Sequence, residues 1–204
     1  MSFSKVVLGL ATLALAFSSS TQGEVSHDNG APDQVSGTNM SEQLVAENFT
    51  LAADANVILI RFWAIQSAAP DYRGDVYWAI YSDAANQPGT VVAGGVEPVV
   101  NAVVTGNSTL FGYAEYSFDI PVDIQLAPGN YWLALHNGAV SNNGESEMLW
   151  STTAVPVGSN ALYFDAVSGW VSSGNELAFR IEDTTIFVDG FESGNTTGWS
   201  ATIG

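Results

Sequence analysis

The sequence predicts an all-β protein, a single antiparallel β-sandwich of jelly-roll-like kind. Three observations lead there. Between residues 44 and 183 about ten short apolar or alternating runs follow one another, separated by Gly, Pro, Asn or Asp turns every 8–12 residues or so. No long segment carries the 3.6-residue period of a helix. The 204-residue chain is 47% hydrophobic and 11% aromatic, enough apolar material for one core and too much for a disordered acidic polymer.

Residues 1–23, MSFSKVVLGLATLALAFSSSTQG, read as an export signal. Lys5 gives the positive start, 6–17 form the apolar run, and 18–23 are small and polar. The run is shorter than the roughly 20 residues of a membrane span. Cleavage is expected after Gly23, with Ser20 as the alternative. Residues 24–43, EVSHDNGAPDQVSGTNMSEQ, carry no apolar period and read as a flexible linker.

The sandwich is expected over 44–183. ENFTLAA (47–53) precedes NVILIRFWAI (56–65), a central strand with Ile58, Ile60 and Phe62 on one face and Val57, Leu59, Arg61 and Trp63 on the other. After the loop at 67–75, VYWAIYSD (76–83) turns Val76, Trp78 and Ile80 to one side. NQPG (86–89) is a turn. TVVAGG and EPVVNAVV read as short edge strands, because Pro98 removes a ladder donor. In FGYAEYSFDI (111–120), Ala114, Tyr116, Phe118 and Ile120 alternate with Tyr113, Glu115, Ser117 and Asp119. LAPGNYWLALHNG (126–138) is a Pro-Gly turn into a buried strand, and EMLWST, ALYFDA, GWVSS and ELAFRIED follow. In the last, Leu177, Phe179 and Ile181 point inward and Glu176, Arg180 and Glu182 outward.

Charge and composition narrow the function classes. Without the leader, three arginines face 21 carboxylates, a net charge of −18. Nucleic acid and anionic lipid are repelled by such a chain. The absence of cysteine excludes disulfides, thiolate metal sites and lipid attachment through an N-terminal cysteine. No second apolar run is long enough to cross a bilayer.

The order of features AENFTLAADANVILIRFWAI, IYSD, QPGTVVA, YSFDIPVDIQLAPGNYWLALHNG, LWSTT, GW and ELAFRI resembles a type of secreted bacterial β-sandwich domain found in extracellular and surface-anchored proteins. The resemblance covers 44–183 and rests on turn glycines and core aromatics. It implies a jelly-roll-like fold and an extracellular setting, and it implies no activity. The ending IFVDGFESGNTTGWSAT (186–202) resembles short F-x-D-G-F-E-S-G tails on secreted proteins of Gram-negative bacteria. Residues 184–204 are thus expected to be a sorting or retention tail, carried by Phe187, Asp189, Gly190, Phe191, Glu192, Ser193, Gly194 and Trp199. The competing account is an added edge strand with Trp199 covering an apolar patch.

No catalytic residues are assigned. His27 falls in the expected linker and His136 at a strand end, with no nucleophile-elbow motif to support a triad. Glu115 and Asp119 share a face, but one expected to be solvated, where nothing splits their proton affinities. A structural calcium is the cofactor to consider. Its oxygen ligands would be Asp71, Asp75, Asp83 and Asn86, although these are also ordinary turn residues. Sugar stacking is the remaining chemistry, with Trp63, Tyr113 and Trp170 as candidate platforms against the competing role of core packing. The expected function is therefore a non-catalytic extracellular surface, matrix or adhesion module whose partner is a cell-surface component. The alternatives are a carbohydrate-binding module, calcium-assisted or not, and then a secreted hydrolase.

Overall fold

The computed structural model describes residues 23–67, 71–98, 101–109, 112–142, 144, 146–155 and 158–184. These residues form two antiparallel sheets and no helix. The first sheet holds β1 (Glu24–Asp28), β2 (Pro32–Asn39), β4 (Ala55–Gln66), β7 (Asn101–Ser108), β8 (Ala114–Leu126), β10 (Met148–Thr153) and β13 (Phe179–Asp183). The second runs β12 (Gly169–Ser172), β11 (Leu162–Asp165), β3 (Val45–Leu51), β9 (Gly129–Asn137), β5 (Asp75–Asp83) and β6 (Pro88–Pro98). The chain switches sheet at most connections, so each sheet is assembled from strands distant in sequence, as in a jelly roll. Residues 1–22 of the expected leader (1–23) and the tail residues Phe187–Trp199 lie outside the described residues.

β4 is the spine of the first sheet. β8 lines one side of it along its whole length, while β13 and β10 share the other. Against β13 the register shifts between Val57 and Leu59, which pair with the adjacent Asp183 and Glu182, a bulge at Ile58. This corrects the simple alternation expected for the strand. Before the bulge Val57 faces the core, and after it Ile60, Phe62 and Ala64 do, while Ile58 is only partly buried. Between the sheets Phe62 stacks on Phe118 at 4.9 Å, and Trp150 meets Phe62 edge-on at 6.2 Å and Phe179 at 6.0 Å. Burial of side chains of this size contributes about 1.5–3 kcal/mol each.

The linker expected over 24–43 is instead two strands. β1 pairs with β13, and β2 pairs with β10. Both stand at the ends of their sheet path, where backbone pairing needs no apolar period from the sequence. A few inward groups dock them. His27 stacks on Phe179 at 5.3 Å and meets Phe49 at 5.7 Å, and burial pushes its imidazole below the ordinary range. Asn29 donates to the Leu177 carbonyl at 2.8 Å and Met40 is fully buried.

The three described arginines are all engaged. Arg61 grips Asp119 through two parallel bonds of 2.6 and 2.7 Å, Arg180 reaches Asp28 at 2.9 Å, and Arg73 donates to the carbonyls of Asn137 and Asn142. Two glutamates are fully buried. Glu115 was expected on a solvated face, but β7 lies alongside it and supplies donors from Thr105 Oγ1 (2.7 Å) and Asn107 Nδ2 (2.9 Å). Glu47 projects from β3 and accepts the backbone N–H of Leu177 at 2.8 Å and that of Asn48 at 2.9 Å. It thereby ties the second sheet to the chain that enters β13.

Burial, and then the charge of Glu176, hold the Glu47 carboxyl well above its ordinary value of 4.5. The folded state keeps this proton where the unfolded chain has already released it. The stabilisation is therefore present at low pH and declines as pH rises from the ordinary carboxylate range through the raised folded value. Denaturant unfolding across that range should show the wild-type protein losing more stability toward neutral pH than Glu47→Gln, which has no such proton to release. Parallel pH profiles would remove Glu47 as the source.

Candidate functional site

The outer face of the second sheet, turned away from the core, carries a row of small residues. Ala46, Ala134, Ala79 and Gly94 stand opposite one another across β3, β9, β5 and β6, with Leu162 of β11 beside Ala46 at the end of the row. Rows of larger side chains flank it. Asn48, Trp132 and Tyr81 are aligned on one side, and His136 and Tyr77 on the other. Because side chains alternate along a strand, Tyr77, Ala79 and Tyr81 share this face while Val76, Trp78 and Ile80 enter the core.

The small row leaves room for the rings on either side. The Tyr77 and Tyr81 side chains stand on the same face of β5, on either side of Ala79. Burial first, and the neighbouring Tyr77 hydroxyl second, push the Tyr81 hydroxyl up to about 12. Trp170, on β12, meets Tyr81 edge-on at 6.1 Å and Phe164 at 5.4 Å. β12 and β5 are four strand spacings apart, roughly 19 Å in a flat sheet. Two side chains do not bridge that span, so the sheet curls toward its outer face and the β11–β12 hairpin closes over it. Trp132 is buried under this layer, its indole N–H donating to Asp83 Oδ1 at 2.8 Å.

The result is an aromatic shelf on the outer face of the second sheet. Tyr77, Tyr81 and Trp170 are partly exposed, and Phe164 is 46% exposed. Such a surface offers flat apolar area together with two phenol hydroxyls that donate and accept.

Of the platforms expected from sequence, only Trp170 belongs to this shelf. Trp63 lies on the outer face of the first sheet, with the Arg180 guanidinium 5.6 Å from its ring centroid. Tyr113 sits beside the start of β8 and donates to Glu147 Oε2 at 2.9 Å. The three rings thus stand on three separate surfaces.

The calcium candidates are divided as well. Asp71 and Asp75 precede or open β5, and Asp83 and Asn86 lie at its far end, roughly 26 Å along the strand. Asp71 accepts from Ser67 Oγ at 3.0 Å, while Asp83 accepts the Trp132 indole and the Asn86 amide. Asn86 occupies a left-handed turn at φ 64°. Among the described residues no three His, Cys, Asp or Glu side chains gather as metal ligands would.

His136 is fully buried, and its Nδ1 lies 3.0 Å from the Gly138 carbonyl and so carries the proton. The residues missed by sequence reasoning are Tyr77, Tyr81 and Phe164. For the tyrosines a signal existed, since the Val76–Trp78–Ile80 alternation leaves them facing the other way. Phe164 gave none, because only the curl of the sheet brings its hairpin into the site.

In a spectrophotometric titration the last phenol to ionise should be that of Tyr81, and Tyr77→Phe should move it to lower pH. An unmoved final step would mean that the two hydroxyls do not act together. Compared with known proteins, the chain matches no family model and resembles no curated protein significantly.

Proposed function

We propose that this chain is an exported, non-catalytic β-sandwich that binds carbohydrate outside the cell and so serves as a surface, matrix or adhesion module. The observation that carries the reading is the partly exposed shelf of Tyr77, Tyr81, Phe164 and Trp170 on the outer face of the second sheet. Sugar rings present C–H faces that pack on aromatic planes, and the phenol hydroxyls can exchange hydrogen bonds with sugar hydroxyls. The net charge of −18 favours a neutral partner over an anionic one.

The non-catalytic part of the proposal is supported by how the acidic pairs are employed. Asp119 is held by Arg61, and Glu115 is enclosed by Thr105 and Asn107, so the two face no common cleft. Export rests on residues 1–23, and retention at a surface on the tail from Phe187 to Trp199.

Glycan-array binding tests the ligand class. Wild-type protein should bind, and Trp170→Ala or Phe164→Ala should weaken binding about tenfold or more, about 1.4 kcal/mol, while Trp63→Ala leaves it unchanged. Failure of the wild type to bind any glycan, or full binding by both shelf variants, would reject the reading. Cell fractionation tests the tail: a chain lacking residues 184–204 should leave the cell-surface fraction for the medium. An unchanged distribution ends the retention role.

A further inference from the structure

The other side of β5 leads to a separate opening in the sandwich. β6 is the last strand of the second sheet, and among the described residues the pairing of β7 with β8 runs to Asp119. Beyond it, the continuation of β8 through Pro121–Ile124 and the strand β6 line the two sides of a gap. A cleft of about 600 Å³ lies there, with Trp78 as its floor and Glu97 and Asp123 on its two banks. Ala93 and Val122 add apolar wall. The volume is within the range of small-molecule sites.

Three features mark this cleft as built for a ligand. Trp78 is 5% exposed, and its indole N–H has no acceptor among the described residues. An unmet buried donor is destabilising, and a ligand supplying an acceptor recovers that loss. Next, Gly95 stands opposite Trp78, and a Cβ there would lie 3.4 Å from Trp78 Nε1 and 3.7 Å from Glu97 Oε1. The donor and the carboxylate thus converge on the one space that a side chain at 95 would occupy. Finally, Gly95 is not at positive φ, so the backbone does not require glycine, and what its absent side chain leaves is space against the buried indole edge.

The donor and acceptor pattern selects the ligand. The bound group must accept from Trp78 and donate to Glu97 and Asp123. An ammonium or guanidinium only donates. A carboxylate or phosphate only accepts and is repelled by both banks. A hydroxyl does both, and the apolar walls suit the C–H face of a ring. We propose that this cleft is a second binding site that takes a neutral, hydroxyl-rich sugar unit. It stands apart from the aromatic shelf, because Trp78 faces the core side of β5 and Tyr77 and Tyr81 the outer side.

The experiment follows the Trp78 indole N–H resonance of the full chain, identified by its loss in Trp78→Phe. The probes are the methyl glycosides of glucose, galactose and mannose at up to about 20 mM, suited to the millimolar dissociation constants of single sugars, with glucuronate as the anionic control. At least one neutral glycoside should shift the resonance saturably, and glucuronate should not. Glu97→Gln and Asp123→Asn should weaken the response about tenfold, and a folded Gly95→Leu should abolish it. Should Gly95→Leu not fold, the two isosteric variants decide alone. Trp170→Ala should leave the response intact, so failure of the shelf and failure of the cleft are distinguishable. The proposal is overturned if no neutral glycoside shifts the signal, if glucuronate binds as well, if the cleft variants respond as wild type, or if Trp170→Ala removes the response.

Discussion

The register of β4 governs this sandwich. The strand touches three neighbours, and its bulge at Ile58 decides which of its side chains enter the core. Without that extra residue Val57 and Phe62 would face opposite ways, and one of them would leave the apolar interior. With it, Val57, Ile60, Phe62 and Ala64 all face inward, and Phe118, Trp150 and Phe179 close around them. The same register sets Arg61 opposite Asp119 and Arg180, which places the first sheet's main ion pair on its outer face. A one-residue slip would exchange core and surface along the strand.

Electrostatics imposes the second constraint. In a chain with this excess of carboxylates the three described arginines are each spent on a defined partner, and some of the acids are removed from the charge balance. Arg73 is used on backbone carbonyls, where it joins the turn before β5 to the one after β9. Asn137 reinforces that junction by donating to Ser41 Oγ and to the Asp71 carbonyl. Glu47 represents the opposite solution, a carboxyl enclosed between the sheets and favoured in its protonated form. The carboxylates are therefore not one uniform solvated shell, and some of them are structural parts.

One strand organises the chemistry. β5 gives Tyr77 and Tyr81 to the aromatic shelf and Trp78 to the cleft at the sandwich edge, on opposite faces of the second sheet. The shelf exists because small residues line up across β3, β9, β5 and β6 and because the β11–β12 hairpin folds over them. The cleft lies between β6 and the part of β8 that follows Asp119.

By itself, the sequence determined the class of the fold and much of its core. Period-two alternation over short runs, with turn residues between them, admits little besides an antiparallel sandwich, and Phe118, Ile120, Leu177, Phe179 and Ile181 face inward as that alternation requires. The tertiary structure decided the rest, because the deciding contacts lie between residues far apart in the chain. The polar residues 24–39 became strands through backbone pairing with β13 and β10, which leaves no mark on side-chain pattern. Glu115 became buried because β7 covers it. The shelf and the cleft likewise depend on curl and on strand placement, properties of the sheet as a whole that no local window of sequence contains.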